Sequence, residues 1–397
     1  MATLAVSIFM STVLKSTKNL HVTFLTLLLL VNSTAVVHAQ FTYETNDGSI
    51  TITGYTGPPW VVTIPTNING LTVTTIGASA FLHSTSLTSV TIPGSVTAIG
   101  QDAFVECSGL ISVTFGNGVT NFGDSIFGGC SSLTNVTISN GLVSIGSSMF
   151  AGCSSLTSVT IPSSATNIGE SAFSDCNSLI TVTISNGVTS IGEFAFEYDP
   201  IPSIMIPESV TNIGYATFLY CNDMTNVTIP GSVTSIGDFA FYGCSSLINA
   251  TVANGVPSVA YGLFDFCTNL AGVFFQGDSP TVVGDSEDGP VFYDDNNVTV
   301  YYLPGNIGWS NTYQGVPAVL WNPQVQAGGA NFGVKNGQFG FNVTGTANIP
   351  IVVQACTNLA NPAWTSLTNV TLTNSPFFFS EPFQANTPAR YYRISSP

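Results

Sequence analysis

Positive charge is what this chain most conspicuously lacks. Its 397 residues include five lysines and arginines, namely Lys15, Lys18, Lys335, Arg390 and Arg393, so no basic side chain stands between Lys18 and Lys335. Nucleic-acid binding needs cations to neutralise phosphates, and a polyanionic membrane surface recruits polybasic patches. Both partner classes are therefore excluded. Histidine is almost as rare, and beyond residue 39 only His83 remains. No G-x-S-x-G, Walker loop or G-x-G-x-x-G stands in the strand–helix setting that would give it meaning. Long apolar runs are missing too. Val22 to Val31 spans ten residues, about half of the roughly 20 that a membrane-spanning helix needs.

That short run follows Lys15 and Lys18 and precedes Val37-His38-Ala39. Basic flank, apolar core and small-residue site together read as an export signal cleaved after Ala39, with an uncleaved anchor as the alternative. Without it the chain carries three basic and 21 acidic residues, a net charge of −18. Such a charge favours solubility and repels polyanions. Only 7% of residues are charged, but 44% are hydrophobic and 27 are Phe, so the chain buries a core and is not disordered.

The middle of the chain is periodic. Phe81, Phe104, Phe127, Phe150, Phe173, Phe196, Phe218, Phe241 and Phe264 recur every 23 residues, with one step of 22 between Phe196 and Phe218. Glycine stands four residues before each of them, from Gly77 to Gly237, and Ala260 ends the series. Self-similarity at this period predicts a solenoid whose coils bury apolar residues only against one another. Within a unit, Ser158-Val159-Thr160-Ile161 alternates as a half-buried strand should, and Pro162 ends it. Ile168-Gly169 predicts a second inward contact and a tight turn. Parallel strands about 4.8 Å apart would make nine coils about 43 Å long.

These units resemble the BspA-type, or Treponema-type, leucine-rich repeat, whose L-x-x-V-x-I-P, V-x-x-I-G, A-F and C-x-x-L pattern recurs over about residues 64–284. The stretch from Phe41 to Tyr55 resembles the β-hairpin cap that precedes such arrays. The resemblance implies an exported or surface protein used for attachment and recognition. In the sixth unit Asp199-Pro200-Ile201-Pro202 replaces the Cys-x-x-Leu run and one residue is lost. That reads as a defect tolerated by a loop or as a local change of the exposed face.

Seven cysteines, Cys107, Cys130, Cys153, Cys176, Cys221, Cys244 and Cys267, each follow a repeat Phe by three residues. In-register side chains point the same way and leave Cβ atoms about 4.8 Å apart, where a disulfide needs about 3.8 Å. The ladder of Phe104, Phe127, Phe150 and Phe173 with Cys107, Cys130, Cys153 and Cys176 is therefore read as structural, its thiols free and buried. Cys356 stands alone in the C-terminal region. No C-x-x-C or histidine suggests zinc.

Candidate chemistry is thin. His83 with Ser84 and Asp102 could form a Ser–His–acid set only by accident of stacking. Glu170, Glu193, Asp238 and Asp265 could supply paired carboxylates for glycoside hydrolysis, but they read as solvated turn residues. Asp285, Glu287, Asp288, Asp294 and Asp295 are dense enough to invite calcium, yet their spacing fits neither an EF-hand nor a calcium nonapeptide. No metal site and no cofactor is assigned.

The outward strand positions offer the most promising surface. Thr91, Thr114, Thr137, Thr160, Thr183, Met205 and Thr228 would form one column, flanked by Ser89, Ser112, Asn135, Ser158, Thr181 and Asn226. Threonine suits an exposed pleated face on propensity alone; the alternative is an uncharged platform for glycans, peptides or an ice lattice. Met205 and Phe274 interrupt the column, which counts against a lattice.

The chain thus divides into an export signal (1–39), an N-terminal β cap (40–75), a leucine-rich-repeat solenoid (76–284), a C-terminal cap (285–323) and a small all-β, sandwich-like module (324–397). In the last, alternating runs and the hairpin signal Asn336-Gly337 set the class. That module resembles short C-terminal segments of exported bacterial proteins used in attachment or sorting. The expected function is binding of a protein or glycan at the cell surface without catalysis, in an unassigned oligomeric state. The alternatives are a purely structural surface component and, more remotely, a carbohydrate-active enzyme.

Overall fold

The computed structural model describes residues 40–397 except 139, 285–289, 296 and 384–388. The expected export segment, residues 1–39, lies outside them. Every regular element described is a strand. The chain winds into a parallel β-solenoid of coils about 23 residues apart, and small antiparallel sheets follow it.

Each coil has three sides. On the first, a strand such as Ser158–Ile161 pairs in parallel with Thr181–Ile184, matching Val159 to Val182 and Thr160 to Thr183. Twelve parallel strands of this kind, with Thr312–Tyr313 antiparallel at one edge, form a sheet of 13. Val159 and Ile161 point inward and are buried, while Ser158 and Thr160 face out. On the second side, Asn167–Ile168 pairs in parallel with Ser190–Ile191.

The third side carries the repeat Phe and has no sheet, yet it is laddered. Ser171, Phe173 and Asp175 donate their N–H groups to Glu193, Ala195 and Glu197 of the next coil, at 2.8 to 2.9 Å. The N–H groups between them turn back on their own coil, as in Ser174 to Ser171 at 3.1 Å. Such alternation requires left-handed residues two before and two after the Phe, here Ser171 at φ 51° and Asp175 at φ 62°. Both positions have positive φ in every coil from Phe81 to Phe264. An L-residue loses roughly 1–2 kcal/mol in that conformation, and the inter-coil hydrogen bonds offset it.

Inside, the Phe rings form one stack. Phe81 and Phe104 lie 4.8 Å apart at 10°, Phe173 and Phe196 5.4 Å apart at 3°, and Phe218 and Phe241 5.1 Å apart at 8°. The stack continues through Phe292, 6.1 Å from Phe264 and parallel to it within 6°. The 28-residue step between those two hides the continuation from a search for period 23. The glycines four residues before the Phe serve this stacking. A Cβ on Gly169 would lie 2.7 Å from Ser147 N, and one on Gly237 2.3 Å from Tyr215 N. Neither glycine has a positive φ. The expected tight turn is in fact a close approach of one coil to the next.

The one-residue loss in the sixth unit is absorbed before the strand. Ile201 is fully buried where other coils place leucine, and Met205 keeps its register between Thr183 and Thr228.

Both ends are covered. Phe41–Asn46 and Ser49–Tyr55 form a hairpin, and the second strand pairs in parallel with Leu71–Ile76. At the far end Thr299–Tyr302 and Val316–Leu320 extend the large sheet, and Trp309 stacks on Tyr302 at 5.1 Å. Beyond lie a four-stranded and a three-stranded antiparallel sheet, joined by a core containing Phe341, Val343, Ile351, Val353, Leu372 and Phe379. The two-residue hairpin at Asn336-Gly337 has φ values of 49° and 75°, the geometry that asparagine-glycine favours. This core also takes in Phe274 and Tyr301 of the solenoid, and Trp321 Nε1 donates to Pro350 O at 2.8 Å.

Candidate recognition surface

Parallel pairing without a register shift brings the outward strand residues into straight columns. Thr91 lies beside Thr114, Thr160 beside Thr183, and Met205 beside Thr183 on one flank and Thr228 on the other. Thr137 follows the short strand Asn135–Val136, and a shallow trough runs there between Thr114 and Thr160 over Ile138 and Asn140. All seven positions are exposed, and Met205 is 82% accessible. In the flanking column Ser112 Oγ donates to Ser89 Oγ at 3.2 Å. The face presents hydroxyl, amide and one thioether group and no charge. Phe274, which the sequence suggested would interrupt the column, is 4% exposed because the C-terminal module covers it. The free column therefore ends at the module.

A different set of threonines is committed to the coil ladder. Thr166 Oγ1 donates to Val143 O at 3.2 Å, Thr189 Oγ1 to Thr166 O at 3.0 Å and Thr234 Oγ1 to Thr211 O at 3.2 Å.

The cysteine column lies behind the third side. Every cysteine is buried and free. Cys107, Cys130, Cys153 and Cys176 donate Sγ–H to the carbonyls of Phe81, Phe104, Phe127 and Phe150 at 3.1 to 3.2 Å. Burial pushes the Cys153 thiol up to about 12 and those of Cys176, Cys221 and Cys267 well above the ordinary range. Thiols so protonated are poor nucleophiles.

Two rungs of that column carry aspartate. Asp199 is fully buried, and its Oδ1 accepts the Cys176 N–H at 2.9 Å while Oδ2 has no partner. Burial holds its carboxyl well above the usual range. The sixth-unit change thus reaches the core and is not confined to a loop. Asp295 fills the rung after Cys267, is 5% exposed, and has neither oxygen hydrogen-bonded. Burial first, then the charges of Asp265 and Asp294, raise it to about 8. Asp265, read from sequence as a solvated turn residue, is 3% exposed and accepts the Tyr293 N–H at 2.7 Å; burial raises it to about 6.

Remaining candidates separate. His83 Nδ1 lies 2.9 Å from Glu106 Oε2 with both side chains exposed, so its ion-pair partner is Glu106 and not Asp102. Glu170 and Glu193 are exposed. Asp285, Glu287 and Asp288 lie outside the described residues, among which no three acidic, histidine or cysteine groups are placed to hold a metal ion.

The repeat positions described above coincide with a family profile. The profile of the family described as a BspA type leucine rich repeat region, six copies, matches residues 74–199 and 189–286. A leucine rich cell surface protein from Faecalibacterium prausnitzii is 26% identical over 67% of this chain and 88% of its own, with a TM-score of 0.48. A leucine-rich repeat protein from Bacteroides ovatus is 24% identical over 66% and 83%, with a TM-score of 0.46. One from Eubacterium ventriosum is 23% identical over 64% and 80%, with a TM-score of 0.40. Among curated proteins none matches.

Proposed function

The chain belongs to the BspA-type leucine-rich repeat family, and from that premise we propose that it is an exported surface protein that binds a protein or glycan through the uncharged outer face of its long-strand sheet. A recognition role is what the family suggests. The observation that carries the particular face is its column of seven exposed residues, six of them in strand register and Thr137 just beyond its strand, free of charge and ending at the C-terminal module. Regularly spaced hydroxyls on a rigid sheet lose little conformational entropy when they meet a repeating ligand. Their neutrality makes this binding insensitive to salt and to pH between 5 and 8, since nothing on the face titrates.

Export rests on the basic flank, apolar run and small-residue site ending at Ala39; amino-terminal sequencing of the secreted protein would find Gln40 first. The recognition role proposed here is non-catalytic, and His83, the one histidine beyond residue 39, is exposed and paired with Glu106.

The test is an array of glycans and surface proteins probed with residues 40–397. Thr137→Ala, Thr160→Ala and Thr183→Ala together should weaken a hit at least tenfold. Unchanged binding would remove this face, and the absence of any hit would favour a purely structural component.

A further inference from the structure

The third side of the solenoid changes character along its length. In the early coils its left-handed positions hold Ser79, His83, Asp102, Glu106, Ser125, Gly129, Ser148 and Gly152. From the sixth coil on five of them hold rings, Phe194 at φ 54°, Tyr198 at 62°, Tyr220 at 55°, Phe239 at 60° and Phe266 at 58°, while Ala216, Gly243, Gly262 and Asp294 fill the others. Positive φ is rare for bulky residues, and glycine adopts it without strain. Gly243 and Gly262 occupy the same positions within this very stretch. Folding therefore does not ask for aromatic residues here. Strained outliers of this kind are a reason to look for a role.

The rings are not scattered. Tyr198 stacks on Tyr220 at 5.3 Å and 11°. Tyr242 meets Tyr220 at 5.5 Å and Phe266 at 5.1 Å, and Phe266 meets Tyr293 at 5.7 Å. Phe239 joins Tyr242 to Tyr215, and Tyr215 joins Phe194, at 5.3 to 5.7 Å. Eight rings make one continuous surface, with Tyr198, Tyr215 and Tyr293 exposed by 45%, 39% and 53%.

Carboxylates border it. Asp175 is exposed on the rung before Tyr198 in the same column, and its N–H donates to Glu197 O at 2.9 Å. The charges of Glu197 and Asp175 help, after burial, to raise the Tyr198 hydroxyl. Glu193 and Asp294 are exposed beside Phe194 and Tyr293. From residue 41 to residue 334 the chain has no lysine or arginine.

We propose that this face docks an extended, cationic polypeptide segment, with an arginine or lysine laid on Tyr198 between Asp175 and Glu197. Aromatic faces and carboxylates both attract a cation, whereas a neutral sugar would use the rings and still have to desolvate the acids. The five steps between rungs, from Asp175 to the coil of Tyr293, span about 24 Å, the length of about seven extended residues. The surface lies on another side of the coil from the threonine column and serves a different ligand.

The probe is a fluorescently labelled nonapeptide alternating arginine and serine, titrated by anisotropy against residues 40–397, with a glutamine–serine peptide and cellohexaose as neutral comparisons. The double variant Tyr198→Asn, Tyr220→Asn keeps the net charge and suits the left-handed backbone, so general attraction to an acidic protein is unaffected. It should weaken the arginine peptide at least tenfold. Asp175→Asn with Glu197→Gln should weaken it several-fold, Tyr198→Phe should retain binding, and Thr160→Ala with Thr183→Ala should change it less than twofold. Circular dichroism melts verify that each variant is folded. Equal affinity of the folded tyrosine double variant overturns the proposal, as does failure of the arginine peptide to outbind its glutamine analogue. Cellohexaose binding that depends on the tyrosines, without peptide binding, overturns it in favour of a neutral glycan.

Discussion

The early coils, centred on Phe81 to Phe150, and the late ones, centred on Phe196 to Phe264, share one interior and differ outside. Ring stacking, left-handed positions and inter-coil hydrogen bonds repeat through both. Yet the left-handed positions of the third side hold polar residues and glycine in one region and mostly rings in the other, and the late region alone has a buried aspartate among its cysteines. A repeat array holds its geometry through nearest-neighbour contacts, so any position outside those contacts is free to diverge. The difference teaches where to look for recognition: at outer positions that vary while the core stays constant.

The strongest way to break the comparison is to attack the shared interior. Phe150→Ala and Phe241→Ala should each lower stability by about 3–5 kcal/mol in urea denaturation. A cost several-fold smaller in one region would mean that the stack is not a single device. Next in size is the coil spacing. Gly169→Ala and Gly237→Ala put a methyl group against the neighbouring backbone, and both should cost about 1–3 kcal/mol by overpacking; a neutral result would refute the close approach.

A comparable effect of opposite sign sharpens the contrast. Asp199→Cys restores the column in the late coils and removes a half-satisfied buried carboxyl, gaining about 1–3 kcal/mol at neutral pH. The same residue sets a pH dependence. Asp199, Asp265 and Asp295 all have folded pKa values above the unfolded value of about 4. The folded protein therefore holds more protons than the unfolded chain above about pH 4. Their contribution to stability is complete below that pH and is lost as pH rises through about 6 for Asp265 and about 8 for Asp295. Melting temperature should fall from pH 5 to pH 8, less steeply in Asp199→Asn. A melting temperature that rises over that range contradicts the burial of these acids. The smallest expected effect is on the outside, where Tyr198→Asn should shift stability by less than about 1 kcal/mol.

The interior was legible because each rung repeats the same residue: phenylalanine every 23 positions, cysteine three later and threonine outward on the strand. Legibility ended where one backbone state is filled by unlike residues. Ser171, Tyr198 and Gly243 share a left-handed conformation but no chemistry, so no pattern in the letters marks them. The aromatic surface was hidden for a related reason, since Tyr215, Phe239 and Tyr242 come from different columns and meet only in three dimensions. Phe292 and Asp295 were obscured by the longer last step. Phe274 seemed to interrupt the threonine column because the C-terminal module that covers it is far away in sequence.

The separation of a constant core from a variable surface is tested most directly by measuring affinity for the arginine–serine peptide and the urea midpoint together, on Tyr198→Asn, Tyr220→Asn. A tenfold or greater loss of affinity with the midpoint almost unmoved is the expected result. If affinity survives, or if it falls only in step with stability, the outer rings belong to the fold and the separation is wrong.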